Sequence, residues 1–371
     1  MEGLGNKEYI ESYILSYKEG VIMMSERFLV TGGAGFIGSN FIKHMLRKYG
    51  EKIFVINVDK LTYAGNTNNL LGLEDCPNYL FIKADICDKS AISKIFDNYS
   101  IDYVVNFAAE THVDQSIENP EAFIATNVLG TQVLLDCARK SWETEGVFKT
   151  GKKYIQISTD EVYGSLDSGG YFTENTPLDP RSPYSASKAS ADFLVKAYYY
   201  TYKMPINITR CSNNYGPNQF PEKLIPLMIN NCLGGKPLPV YGDGRNIRDW
   251  LYVEDHCSAI DKVIRKGNIG QIYNIGGHSE KENIEIVKIL IKLLNEVLSE
   301  MDTRKEHISE GLIKYVEDRK GHDRRYAIDY TKIKDELGWE PQICFEDGIK
   351  KTVIWYLNNE DWLYESTERL K

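Results

Sequence analysis

Tyr184 and Lys188, in "SPYSASK", stand four residues apart, a spacing that puts both on one face of a helix. An ammonium beside a phenol favours the phenolate, giving a base able to take the proton of a secondary alcohol. The pattern is common in a chain with 25 tyrosines and recurs at Tyr79/Lys83, Tyr199/Lys203 and Tyr330/Lys334. Position separates them. Tyr79 falls in a predicted strand, Tyr199 lies several turns further along the helix of Tyr184, and Tyr330 is in the C-terminal part. Only Tyr184 opens a helix, after Pro183, shortly downstream of the strand-like "YIQIS" that leads into "TDEVYG". Thr159 at the end of that strand supplies a hydroxyl, completing a group that oxidises alcohols beside a nicotinamide.

Asp160 and Glu161 follow immediately and are surplus to hydride transfer. Two adjacent carboxylates leaving a buried strand are costly unless hydrated, partnered or used. Oxidising a pyranose at C4 acidifies its C5 proton, and loss of the C6 hydroxyl then needs a base at C5 and an acid at the departing oxygen. Two carboxyl groups in different protonation states do both jobs. The alternative is that Asp160 caps the following turn while Glu161 is solvated; spacing leaves the two readings open.

"FLVTGGAGFIGSNF" joins a strand to a helix, and either Gly33, Gly35, Gly38 or Gly32, Gly35, Gly38 provides the tight turn and close approach that a pyrophosphate on a helix N-terminus requires. Asp59 ends the next strand 21 residues after Gly38. Its carboxylate suits the ribose hydroxyls of NAD and repels a 2′-phosphate, although Lys60 leaves NADP open. Asp85, closing the third strand, falls at the adenine edge.

These residues must be positioned by an α/β framework. "RFLV", "IFVINV", "YLFI", "YVVNFA", "YIQIS" and "INITR" are nearly continuous apolar runs alternating with helix-length segments such as Ala122–Lys140 and Ser185–Tyr202. That texture predicts a Rossmann-type, doubly wound parallel sheet. The expected organisation is an extension over 1–25, helical or frayed and without a signal-peptide pattern, then a dinucleotide-binding domain over 26–210. A return to the sheet is expected around 240–275, "QIYNI" being the candidate strand, and 211–371 mainly forms a smaller α/β substrate cap. Its helices are predicted over Asn283–Glu300 and Phe345–Asn358.

The 371 residues carry a net charge of −9, which argues against a nucleic-acid surface, and no apolar run reaches membrane-spanning length. Seven scattered cysteines with no CxxC fit a reducing cytoplasm rather than a disulfide framework or zinc site. His112 follows the fourth strand toward the same cleft, but six histidines without paired spacing imply no metal.

"TGGAGFIGSNF", "DKLTYAGN", "FAAETHVDQSI", "STDEVYG", "SPYSASKA", "SNNYGPNQFPEKLIP", "GDGRNIRDWLYVEDH" and "DRKGHDRRYAID" resemble the dTDP-glucose 4,6-dehydratases of the extended short-chain dehydrogenase/reductase superfamily, from about residue 27 to beyond 350. The resemblance implies Asp160 as acid at the leaving C6 hydroxyl, Glu161 as base at C5, and Tyr184 as base at O4, assisted by Lys188 and Thr159. It implies tightly held NAD, contacted by Gly32, Gly35, Phe36, Ile37, Gly38, Asp59, Lys60, Leu61, Thr62, Asp85, Ile86, Ala108, Ala109, Glu110, Thr111, Thr126, Tyr184, Lys188 and Asn214. It places dTDP-glucose against His112, Thr159, Asn213, Lys223, Leu224, Pro239, Val240, Tyr241, Arg248, Asn283, Asp318, Arg319, Lys320, Gly321 and His322. Diphosphate chemistry favours the arginines, with Arg324 and Arg325 as competitors for Arg319. A homodimer is implied, with Ala122–Lys140 a candidate interface. The readings set against this one are a nucleotide-sugar 4-epimerase, whose family has small residues at the positions of Asp160 and Glu161, and a non-catalytic NAD-sensing protein.

Overall fold

The computed structural model describes residues 25–167 and 169–370, so the expectation for the N-terminal extension lies outside the described residues. Six apolar runs form parallel strands: β1 (Glu26–Thr31), β2 (Ile53–Asp59), β3 (Tyr79–Lys83), β4 (Tyr103–Asn106), β5 (Lys153–Thr159) and β6 (Ile206–Cys211). Three short strands follow, β7 (Asn213–Tyr215), β8 (Leu238–Tyr241) and β9 (Ile247–Tyr252), then β10 (Ile272–Ile275), β11 (Glu280–Glu282) and β12 (Ile313–Val316). The main sheet has seven strands in the order β10-β6-β5-β4-β1-β2-β3, paired in parallel throughout. Strand order reverses between β1 and β4, which opens a crevice at their carboxyl ends.

Every residue of β2 and β5 is buried, because helices cover both faces of the sheet. Alternation along β1 divides two cores: Phe28 and Val30 pack with Phe41, Ile42 and Met45, while Leu29 packs with Ile92, Leu134 and Trp142. A buried polar ladder crosses the middle strands. The Thr31 hydroxyl donates to Asn106 Oδ1 at 2.6 Å, and Asn106 Nδ2 donates to Gln156 at 3.0 Å.

Helix α1 (Phe36–Tyr49) begins at Gly35 and stops at Gly50, whose φ of 52° suits a residue without a Cβ. Next come α2 (Lys89–Asn98), α3 (Val113–Glu118), α4 (Thr131–Trp142) and α5 (Pro183–Tyr202). The helix expected over Ala122–Lys140 is present but not α throughout: Pro120–Phe123 leads into a π-helical stretch at Ile124–Gly130, which continues directly into α4. The wider turn brings Thr126 to the crevice, which a straight helix need not do.

Further helices are α6 (Leu224–Leu233), α7 (Val253–Lys266), α8 (Asn283–Val297), α9 (Phe345–Asn358) and α10 (Glu360–Glu368), with one short helix at Thr331–Leu337 between α8 and α9. Of segment 240–275, β10 pairs with β6 and α7 contributes Val253, Ile260 and Val263 to the core beneath the main sheet. β9 instead lies between β11 and β7, and β8 pairs with β12. A separate core, including Met228, Leu290, Tyr356 and Trp362, holds these cap elements together. Among the described residues no helix is long and apolar enough to cross a membrane.

Candidate active site

The glycine turn is built by exclusion. Gly32 has φ 71°, and a Cβ there would stand 2.6 Å from Ala108 N; one on Gly38 would stand 2.4 Å from Gly32 O. Gly35 meets only Gly32 O, at 3.3 Å, so a side chain there would obstruct the crevice that Gly35 lines. Gly33 faces inward, where a Cβ would meet the Asn57 side chain at 2.2 Å. The register is therefore Gly32, Gly35 and Gly38, which together line a cleft of about 310 Å³ with Phe36 and Ile37 from the first turn of α1.

Asp59 closes β2 beside this turn. Its carboxylate accepts from the Ala34 amide at 2.9 Å and the Leu61 amide at 2.8 Å, and burial pushes its pKa up. Lys60 is paired with Asp85 at 2.7 Å across the rim. Lys60, Thr62, Asp85, Ile86, Ala108, Ala109, Glu110, Thr111, Thr126 and Asn214 all line the cleft. The Leu61 side chain packs against the core, and its amide holds Asp59. These residues fit a dinucleotide: a glycine cradle a Cβ would fill, a helix N-terminus for the pyrophosphate, and a fixed carboxylate hostile to a 2′-phosphate.

Tyr184 is held at the start of α5 by a reciprocal cap. The Ser182 hydroxyl accepts from the Ser185 amide, and the Ser185 hydroxyl accepts from the Ser182 amide, both at 3.0 Å. One turn later Lys188 Nζ donates to Ile157 O at 2.7 Å, tying the helix to β5. Tyr184, Lys188, Thr159, Asp160 and Glu161 line one wall of the cleft. Burial pushes the Tyr184 phenol well above its ordinary value, and the Glu161 carboxylate pushes the same way. Burial also draws Lys188 down.

Thr159 caps the short turn Asp160–Tyr163 by accepting from the Glu161 amide, so Asp160 is free of the capping role considered for it. Asp160 is only 2% exposed, accepts from the Thr159 hydroxyl at 3.2 Å, and has a second oxygen with no protein partner. Burial, then Glu161 and Asp249, push its pKa well up, favouring the protonated form. Burial raises Glu161 too, against the opposing charges of Arg248, Lys223 and Arg319. The wall therefore sets a buried acid beside a second carboxyl group that three cations hold down.

The residues expected to hold substrate divide between two places. Thr159, Asn213 and Lys223 line the cleft itself, Lys223 donating to Thr111 O at 3.0 Å. His112 caps α3 by accepting from the Gln115 amide and lies 3.6 Å from Glu222; burial lowers its pKa. The others form the cap. Arg319 grips Asp114 through two hydrogen bonds at 2.5 and 2.8 Å and lies 5.1 Å over the Tyr241 ring. His322 pairs with Asp318 at 2.6 Å and faces Tyr241 edge-on. Gly321 has φ 65°, and Lys320 shares its loop. Arg248 donates to the Ile247 and Asp323 carbonyls, and Asn283 opens α8. Pro239 and Tyr241 share one face of β8, whereas Val240 is turned into the cap core, so its side chain is a packing residue. Leu224 likewise packs against that core. Arg324 and Arg325 are occupied elsewhere, by Asp243 at 2.8 Å and Glu280 at 2.6 Å.

The cleft is also lined by residues that were not among those expected, among them Ala64 and Gly65 within "DKLTYAGN" and Phe220 and Glu222 within "SNNYGPNQFPEKLIP". Glu222 is the notable one, buried, 3.1 Å from the Tyr63 hydroxyl and 3.3 Å from Lys223. In the sequence it stands beside Lys223 inside the motif "SNNYGPNQFPEKLIP". Among the described residues no cluster of His, Cys, Asp or Glu is arranged for a metal ion.

Comparison with known proteins agrees with this geometry. Residues 29–352 match the family model for GDP-mannose 4,6 dehydratase. The dTDP-glucose 4,6-dehydratase of Xanthomonas campestris pv. campestris is 52% identical over 337 residues, 91% of this chain and 94% of that one. Among solved structures, dTDP-glucose 4,6-dehydratase from Bacillus anthracis in complex with NAD is 50% identical, with a TM-score of 0.81 over 92% of this chain and all (100%) of the other. The Streptomyces venezuelae enzyme with NAD and TYD bound is 45% identical, with a TM-score of 0.83 over 92% and 99% of the two chains. This chain belongs to the dTDP-glucose 4,6-dehydratase family, within the wider group that the GDP-mannose 4,6-dehydratase family model describes.

Proposed function

We propose that this protein dehydrates dTDP-glucose to dTDP-4-keto-6-deoxyglucose, a step of deoxysugar nucleotide synthesis, using a tightly held NAD that is restored in each turnover. The observation that carries the reading is the buried Asp160 beside Glu161, on the wall that also bears Tyr184 and Lys188. An alcohol dehydrogenase or a 4-epimerase needs no such pair.

NAD, when bound by the glycine turn and Asp59, supplies the two-electron acceptor at C4 and later the donor at C6. The protein's part is proton management. Tyr184 exchanges the proton of the C4 hydroxyl; Lys188 supplies the positive charge that a phenolate requires, and Thr159 a hydroxyl to the same oxygen. With a ketone at C4, the C5 proton is acidic and passes to Glu161. Asp160 delivers its proton to the C6 oxygen, which departs as water. Arg319 and Arg248, with Lys223, face the diphosphate and offset its charge, and burial of the acid pair keeps bulk water from discharging Asp160.

Product analysis by NMR after incubation with dTDP-glucose in deuterated water tests this directly. One deuterium at C5 of a 6-deoxy-4-keto product is expected, with no net NADH. A galactose product, or turnover of UDP-glucose in preference, overturns the reading in favour of an epimerase.

The same reading expects a homodimer. Exposed apolar side chains Ile124, Leu129 and Phe193, 52%, 49% and 58% exposed, stand on the π-turn and α5, continuous with α4. A monomer by light scattering would refute this assembly. A reducing cytoplasm is the compartment in which the seven cysteines, all unpaired here, stay as thiols.

A further inference from the structure

Helix α10 lies beyond residue 352, where the family-model match ends, and makes none of the cleft wall. It nevertheless packs against the loop that follows Asp59. That loop lines the cleft with Thr62, Ala64 and Gly65. Arg369, just after α10, donates to Gly65 O at 3.1 Å and to Asn66 Oδ1 at 3.3 Å. Within α10, Trp362 donates its indole N–H to Asn69 Oδ1 at 2.8 Å.

Asn69 is 1% exposed and fully committed. Its Oδ1 also accepts from Asn218 at 3.2 Å, while its Nδ2 donates to Ala34 O at 2.8 Å. Two donors facing one atom and a carbonyl facing the other allow the amide a single orientation. Ala34 sits inside the glycine turn. Its carbonyl also accepts from the Asn66 amide at 3.0 Å, and its own amide donates to Asp59 at 2.9 Å. Two hydrogen bonds thus connect α10 to the pyrophosphate turn, and a third connects that turn to the ribose carboxylate.

We propose that Trp362 and Arg369 are positioning residues of the dinucleotide site, acting through Asn69 and through Gly65–Asn66, and that α10 slows release of the cofactor. The proposal rests on the dinucleotide reading of the cleft. It gives a physical reason for retention: the turn on which a pyrophosphate rests is braced from behind by a buried amide. The brace does not touch substrate, so it governs affinity for NAD rather than the chemical step.

Trp362→Phe keeps the ring and removes the donor. Its NAD dissociation constant and release rate are expected to rise about threefold to tenfold, the effect of one buried hydrogen bond. Turnover of dTDP-glucose at saturating NAD should stay within about twofold of the parent. Asn69→Ala alone and the Trp362→Phe/Asn69→Ala double variant should show the same loss of affinity, because the indole acts through that amide. Lys153→Met, which destabilises the fold far from the cleft, serves as control and should leave NAD affinity unchanged. Unchanged NAD binding in Trp362→Phe overturns the proposal, as does additive loss in the double variant or an equal loss in the control. No NAD binding by the parent protein overturns the dinucleotide reading itself, and this proposal with it.

Discussion

Asp160→Asn isolates the acid. The amide has the shape of the protonated carboxyl and keeps an oxygen for the Thr159 hydroxyl, now at 3.2 Å, so binding and C4 oxidation should survive. What it cannot do is release a proton to the C6 oxygen. Loss of one positioned general acid costs about 10²–10⁴ in rate, or about 3–5 kcal/mol of barrier. In a single-turnover mixture with dTDP-glucose, NADH absorbance should rise and persist, since the hydrogen taken from C4 has no C6 acceptor until water leaves. The pH profile adds a second reading. Elimination needs Glu161 ionised and Asp160 protonated, so activity climbs as Glu161 loses its proton and falls as Asp160 does, the two limbs belonging to the pair. Asp160→Asn should lose the alkaline limb. Stability follows the same sign. Burial, then Glu161 and Asp249, raise Asp160 above its ordinary 3.8, so the fold binds this proton more tightly than the unfolded chain does. The stabilisation is complete below 3.8 and disappears as pH rises through the folded value. The loss amounts to about 1.4 kcal/mol for each pH step between the unfolded and folded values. The Asn variant stays neutral throughout, so its melting temperature relative to the parent should increase with pH. Native-rate elimination by Asp160→Asn, or an unchanged alkaline limb, refutes the assignment.

Three further outcomes are expected. Gly38→Ala should abolish NAD retention, because the new Cβ would lie 2.4 Å from Gly32 O and 2.8 Å from Gly33 Cα; NAD content of the purified protein measures it. Arg319→Leu should raise KM for dTDP-glucose about tenfold to a hundredfold, the effect of a lost charge-assisted bond, with NAD affinity unchanged in equilibrium titration. Lys153 donates to the Ile264 and Gly267 carbonyls at 3.0 and 2.9 Å where α7 ends, and burial lowers its pKa from 10.5 to about 8. Lys153→Met should cost about 1–3 kcal/mol by calorimetry through those stranded carbonyls. Between about 8 and 10.5 the folded parent binds fewer protons than the unfolded chain, so its stability rises with pH there; the Met variant should lose that slope.

The parts of this protein legible in the sequence are those governed by local backbone chemistry. A glycine turn must have its glycines in order, a helix beginning at Pro183 must be capped by its immediate neighbours, and strands covered on both faces must be apolar throughout. Periodicity alone bounds the helix Phe345–Asn358, and apolar runs alone mark six strands of the main sheet. Choices between equivalent candidates are not legible there. Gly32 rather than Gly33 is selected by partners far away in the chain, Ala108 and Asn57, and so are the acids that pair with Arg319, Arg324 and Arg325: Asp114, Asp243 and Glu280. The inward turn of Leu61 and Val240, the π-turn at Ile124–Gly130 and the bracing of Ala34 by Trp362 belong to the same class. So does the charge state of the acid pair. "TDE" names two carboxyl groups, but whether one keeps its proton depends on how much water the folded chain removes from it and which charges it brings near. Spacing specifies which atoms exist along a few turns of backbone; desolvation and long-range contact are properties of the packed whole, and they determine what those atoms do.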